Sequence, residues 1–206
     1  MIVPDILPSQ SGRTVLVRPR EEDDSAVAAL RSHPETRRYL PFLPEHVFVK
    51  DARAQRLARA ADATRIPFNI HLSNSDSDST TFVGTVGISH INSEFKSCEI
   101  GILVRPECVR GGLATDALHT VLVYAFEKRE EKFHRVAFVT AVDNVGMRGW
   151  LDKAGATLEG IQRESRSDGM GGYMSMCVYS ILEDEWENAV KLRLEERISW
   201  ALALKA

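Results

Sequence analysis

The sequence predicts a mixed α/β fold around one central sheet. Three observations predict it. Short β-branched runs such as "TVLV", "IPFNIHLS" and "RVAFVTAV" recur along the chain, with turn residues between them. Amphipathic stretches of helical period separate and follow these runs. The order is strand, helices, hairpin-linked strands, helix, strand, helix, strands, helix, which is not the regular βαβ alternation of a doubly wound fold.

Taken in order, "TVLVRPR" (Thr14 to Arg20) reads as a strand. "EEDDSAVAALRSH" reads as a helix, because its acidic first turn suits the positive end of the dipole and Val27 and Leu30 give an apolar stripe. Pro34 starts a short second piece, and "VKDARAQRLARAADA" is an amphipathic helix. "IPFNIHLS" and "TFVGTVGISHI" are strands flanking a polar hairpin loop, Asn74 to Thr80. That loop lacks the spaced carboxylates of a calcium loop. "SCEIGILVRP" is the next strand, and "LATDALHTVLVYAFEKREE" a long helix. A strand ("RVAFVTAV"), a helix ("NVGMRGWLDKAG") and two strands around "RSDGMGGY" follow. The chain closes on an amphipathic helix whose Trp186, Val190, Leu194 and Ile198 share one face. That face must be buried, against the sheet or in a homodimer.

Composition narrows the function. A chain of 206 residues, 44% hydrophobic, can build one domain with a sizeable core. Its net charge of −3 gives no general footprint for nucleic acid. Cys98, Cys108 and Cys177 show no metal-ligand spacing, so reduced thiols and no metal are expected. No apolar run approaches the roughly 20 residues of a membrane helix, and "MIVPDILPSQ" is not a signal peptide. The expected location is cytoplasmic.

"VRGGLATDAL" carries the chemistry. A strand, a Pro loop, two glycines and a helix start bring several backbone N–H groups together, and the helix dipole adds to their field, which makes an anion site. Arg105 and Arg110 flank it. No Lys follows the glycines as in a Walker loop, and "GGLATD" is not a Rossmann fingerprint. A plain flexible turn is the rival reading.

"EIGILVRPECVRGGLATDALHTVLVYAF" with "AVDNVGMRGWLDKAGATLEG" resembles the RimJ/RimL-type branch of the GNAT superfamily of N-acetyltransferases. The opening "TVLVRPREEDDSAVAALRSHPETRRYLPFLP" is similar to the start of that family. The resemblance spans Arg13 to Leu182 and implies a GNAT-like, mostly antiparallel sheet with helices on both faces. Residues 1–206 then form a single domain, with 13–182 as its acetyltransferase core and 183–206 as an extra C-terminal amphipathic helix. It further implies an acetyl group moved from acetyl-CoA to a primary amine, a protein N-terminus or a small molecule, by direct attack in a ternary complex.

By resemblance the [Q/R]-x-x-G-x-[G/A] turn falls on Val109, Gly112 and Ala114. Arg110, Gly111, Gly112, Leu113, Ala114 and Thr115 would hold the pyrophosphate, Leu103 or Val104 would offer an N–H to the acyl carbonyl, and Asn144 would meet the pantetheine arm. Val109 replaces the usual Gln or Arg, and Ala156 the usual Phe. The usual Ser and Tyr acids are replaced by Met147 and Leu151. That replacement keeps open an alternative: a non-catalytic acyl-CoA-binding or regulatory module.

The reaction itself sets further requirements. A primary amine is mostly protonated at pH 7 and must lose a proton before it attacks. Glu99 is the candidate base, since it shares a strand face with Gly101 and Leu103 among core residues. A structural ion pair with a nearby Arg, or a plain edge charge, is the competing role. Tyr173 and Ser175 are candidate thiolate acids. His71 and His90 could relay a proton, but both read first as satisfied structural histidines. A helix N-cap role by itself would already explain Asn144, and it is compatible with the pantetheine contact. Lys153 could reach a phosphate, and Phe42, Leu43 and His46 could line the acceptor cleft.

Overall fold

The computed structural model describes residues 3–73 and 80–203; the polar loop expected at Asn74 to Thr80 lies outside these, apart from Thr80. The strands are β1 (Ile6–Pro8), β2 (Thr14–Val17), β3 (Ile66–Ser73), β4 (Thr80–Asn92), β5 (Ser97–Val104), β6 (Arg135–Ala141), β7 (Thr157–Ser167) and β8 (Tyr173–Leu182). They form one sheet in the order β1-β2-β3-β4-β5-β6-β8-β7. The only parallel pair among the described residues is β5 with β6.

The helices are α1 (Asp24–Ser32), α2 (Pro34–Arg37), α3 (Val49–Ala61), α4 (Leu113–Val123), α5 (Val145–Ala154), α6 (Glu183–Glu185) and α7 (Lys191–Ala203). A π-helical segment, Tyr124–Lys128, extends α4, and a second, Trp186–Val190, joins α6 to α7.

Alternation along the strands assigns the two sheet faces. Phe68, Val86, Ile88 and Ile100 are buried with Leu118 and Val121 of α4 in the main core. The opposite face carries Asn69, Thr85, Ser89 and Glu99, in register across β3, β4 and β5. Over that face lie α1 and α3, which share a separate small core of Ala28, Val47 and Ala52.

Two elements differ from expectation. Strand β1 is only three residues long and ends in proline, too short for a visible alternation; it is defined by its pairing, Ile6 opposite Val17. The long helix expected through Glu131 stops at Lys128 in the π-helical segment.

The stripe of the C-terminal helix is buried: Trp186 0%, Val190 1%, Leu194 0% and Ile198 5% exposed. Its principal contact is not the sheet but α4 and its extension. The Trp186 ring stacks on Phe126 at 5.5 Å, and its Nε1 donates to Glu127 at 2.8 Å. Trp186→Ala removes a large buried ring and one of the two side-chain partners of that carboxylate, leaving Lys191 at 2.9 Å. It should cost about 3–5 kcal/mol, roughly 6–20 °C in Tm for a chain of this size, read by a thermal melt.

Candidate active site

A cleft of about 1620 Å³ runs between the α1/α3 layer and the sheet. Its floor includes the cleft-facing residues of β4 and β5, paired as Ser89 with Glu99, Gly87 with Gly101 and Thr85 with Leu103. A Cβ added at Gly101 would meet nothing within 4 Å, so the floor is bare beside Glu99.

Strands β5 and β6 pair only from Ser97–Arg135 to Glu99–Ala137. Beyond that they diverge and leave one edge of β5 unpaired. Which N–H groups face the gap follows from alternation. The Lys96 carbonyl accepts from Arg135 N on the β6 side at 3.2 Å, while Arg105 N donates to Val83 O on the β4 side at 2.9 Å. Ile102 and Val104 therefore direct their N–H groups into the gap. Leu103 directs its own toward β4 and turns its side chain to the cleft. Of the two residues named from the sequence, the geometry selects Val104 as a donor and adds Ile102.

At the Val104 end the chain passes through a 3-10 turn, Pro106–Cys108, into the glycine turn. Gly112 is the N-cap of α4 with φ 82°, a left-handed conformation glycine adopts without steric cost. No side chain caps α4, so its first N–H groups stay free for a ligand. Arg13 holds the turn from behind, donating from Nη2 to Gly111 O at 2.5 Å. The buried Asp116 in the first helical turn accepts from Ser11 Oγ at 2.7 Å and Thr14 Oγ1 at 2.8 Å, which ties α4 to the start of β2.

Arg110, Gly111, Gly112, Ala114 and Thr115 all line the cleft. Leu113 does not; its side chain is in the core, and only its backbone is available. Thr115 Oγ1 accepts from Trp150 Nε1 at 3.0 Å. Val109 is exposed, and Arg105 is engaged with Glu107. The end of α7 forms a wall at this end of the cleft through Arg197, Ile198, Trp200 and Ala201, a feature with no local signal in the sequence.

Asn144 caps α5, accepting from Met147 N at 3.1 Å, while its Nδ2 donates to Thr140 Oγ1 at 3.0 Å. It lines the cleft, as do Met147 and Lys153. Leu151 is fully buried, and Ala156 lies at the core edge.

Glu99 is about a quarter exposed and has no arginine partner among the described residues; its neighbour is His90, with Nδ1 3.6 Å from Glu99 Oε2. His90 is not the satisfied structural histidine expected of it. A register shift in the β4–β5 pairing after Ser89 and a φ of 52° turn it out beside Glu99, on the cleft wall. Local strain of this kind concentrates at functional sites. His71 does fit the structural role, buried between Asp23 Oδ2 (3.0 Å) and Thr80 Oγ1 (2.8 Å). Although burial opposes it, hydrogen bonding from His71 and Asn69 holds the Asp23 carboxyl below its ordinary range.

Tyr173 is not brought to the cleft; it is 69% exposed at the start of β8. Ser175 Oγ accepts from Glu164 N at 3.0 Å and does not line the cleft either. Phe42 and Leu43 do, whereas His46 packs edge-on against Phe48 at 4.6 Å. Among the described residues there is no cluster of three or more side chains suited to a metal, and no helix long and apolar enough to cross a membrane. Cys98 and Cys177 are buried free thiols, and burial pushes Cys98 up to about 12.

A mostly antiparallel sheet, parted at its parallel pair, with a glycine turn and helix at the end of the gap, defines a GNAT fold. The chain belongs to that family: a family model described as an acetyltransferase (GNAT) domain matches residues 13–157. Solved structures agree on the fold. RimJ from Mycobacterium smegmatis, in complex with CoA-disulfide, is 22% identical with a TM-score of 0.77, covering 93% of this chain and 92% of that one. A GCN5-related N-acetyltransferase from Brucella melitensis is 17% identical with a TM-score of 0.77, covering 96% and 86%. Spermidine N-acetyltransferase from Vibrio cholerae, in complex with CoA and spermine, is 19% identical with a TM-score of 0.74, covering 85% and 99%. No curated protein sequence matches the chain.

Proposed function

We propose that this protein transfers an acetyl group from acetyl-CoA to a primary amine by direct attack in a ternary complex, and that it belongs to the RimJ/RimL-type branch. The observation that carries the reading is the opened edge of β5 leading straight into an uncapped helix start. An anionic, elongated cosubstrate with a polar amide arm is the ligand this geometry fits: free N–H groups for phosphates at one end, an unpaired strand edge for amides and a carbonyl along its length. Acetyl-CoA supplies the activated acyl group.

The chain's own residues have distinct parts. Gly111 to Thr115 hold the pyrophosphate through backbone N–H groups. Arg110 and Lys153 add positive charge. Asn144 orients the pantetheine arm while capping α5. Val104 and Ile102 present N–H groups along the gap where the thioester carbonyl gains negative charge. Glu99 takes the ammonium proton, directly or through water. The leaving thiolate departs without a side-chain acid; a thiol pKa of about 8.5 makes that tolerable. The three free cysteines suit a cytoplasmic setting.

A second reading, an acyl-CoA-binding module without turnover, is favoured by one observation: among the described residues no side-chain acid reaches the thiolate, because Met147 and Leu151 stand at the usual acid positions and Tyr173 lies off the cleft. Calorimetric titration with CoA tests what both share. A one-to-one complex is expected, and absence of binding removes both.

A further inference from the structure

Eight Arg or Lys side chains but only three carboxylates line the cleft, in a chain whose net charge is −3. Part of that excess faces the phosphate turn. Another part does not. Arg31 of α1 and Arg59 near the end of α3 are half-buried on the cleft wall. Neither has a carboxylate partner among the described residues. Their neighbours differ: Arg56 is held two-pronged by Asp24 at 2.8 and 2.9 Å, and Arg65 by Asp62 at 3.0 Å. Glu35, four residues after Arg31, lines the same cleft but makes no ion pair with it. Burial, and then the Arg31 and Arg65 charges, push the Arg59 guanidinium down to about 10.

Position separates this cluster from the phosphate turn. Arg65 immediately precedes β3, whose first residue, Ile66, is opposite Ile88, itself opposite Ile100. That is the Glu99 end of β5. The glycine turn follows the other end, beyond Val104. Five strand residues separate the ends, about 16 Å. Like charges gathered without a counter-ion destabilise one another, and a bound anion relieves them.

We infer that Arg31 and Arg59 form an anion subsite for the acceptor, so the acetylated amine belongs to a molecule that also carries a carboxylate or phosphate and is not a polycation. The inference rests on the acetyl-transfer reading for its amine but not for its anion. A guanidinium pair holds a carboxylate or phosphate through charge-assisted, two-pronged hydrogen bonds. The same pair repels a diamine. Specificity thus combines attraction for one acceptor class with repulsion of another.

Four acceptors of matched length test this: 6-aminohexanoate, 6-aminohexyl phosphate, hexylamine and 1,6-diaminohexane. With acetyl-CoA saturating, kcat/KM for at least one anionic amine should exceed that for hexylamine by about 10–100-fold, the worth of a charged hydrogen bond. The diamine should be poorest. The double variant Arg31→Gln/Arg59→Gln should collapse that preference. A diamine used as well as the anionic amines, or a preference that survives the double substitution, overturns the inference.

Calorimetry on the CoA-loaded protein gives the second readout, because it needs no turnover. If none of the four amines is acetylated, yet an anionic amine binds and the double variant loses it, the transfer reading falls for acceptors of this size and the anion subsite stands. Failure of both anionic amines to bind more tightly than hexylamine overturns the subsite.

Discussion

Ala114→Glu weakens CoA binding by about 100-fold or more while Tm holds or rises slightly. Ala114 is the second residue of α4 and lines the cleft beside the glycine turn. A carboxylate there stands where the pyrophosphate is held. Two unit charges about 4 Å apart repel by about 4 kcal/mol at an effective dielectric of 20, and a 100-fold loss needs only part of that. The same carboxylate in a first helical turn interacts favourably with the helix dipole, by about 0.3–1 kcal/mol. The substitution therefore separates loss of the anion site from loss of the fold. This is a cleaner probe than Gly112, where the left-handed backbone strains any side chain and a Cβ would sit 3.4 Å from Arg13 Nη1. Unchanged CoA affinity in Ala114→Glu, measured by calorimetry, removes the turn from the binding site.

Glu99→Gln lowers kcat/KM at neutral pH by about 10²–10⁴-fold, the usual contribution of a positioned base. The amide keeps the shape and loses the basic site. The defect shrinks as pH rises toward the ammonium pKa of about 10, because free amine no longer needs a base. CoA affinity hardly moves, since Glu99 stands at the opposite end of β5 from the glycine turn. The only side chain within ion-pair reach of it among the described residues is His90, so a structural ion pair with arginine does not explain it. Near-normal turnover at pH 7 in the Gln variant transfers the role to His90 or to water alone.

The features legible in the sequence are those set by local pattern. Alternation along "CEIGILV" places Glu99 and Gly101 on one face because a strand repeats every two residues. Two glycines before an amphipathic run mark a helix start that side chains cannot crowd. The apolar stripe from Trp186 to Ile198 declares a buried face by its spacing alone.

What escaped reading depends on long-range geometry. Arg31 and Arg59 look like ordinary solvated helix charges until α1 and α3 are laid over the sheet face. Trp200 and Ala201 reach the phosphate end only because α7 packs back on α4. His90 faces the cleft through a register shift that its own sequence does not announce. Tyr173 stands on an alternating strand, but β8 begins outside the cleft, so alternation alone misplaces it. The partner of the Trp186 stripe is likewise open in the sequence, because spacing says that a face is covered and not by what.

The most direct test of the account counts both products of one reaction. Protein, acetyl-CoA and the preferred amine are combined, and thiol release and acetylated amine are measured together, the latter by mass spectrometry. The account predicts one acetylated amine for each thiol released, at a rate that Glu99→Gln cuts sharply at pH 7. Thiol release without acetylated amine, or tight CoA binding with neither product, would contradict it.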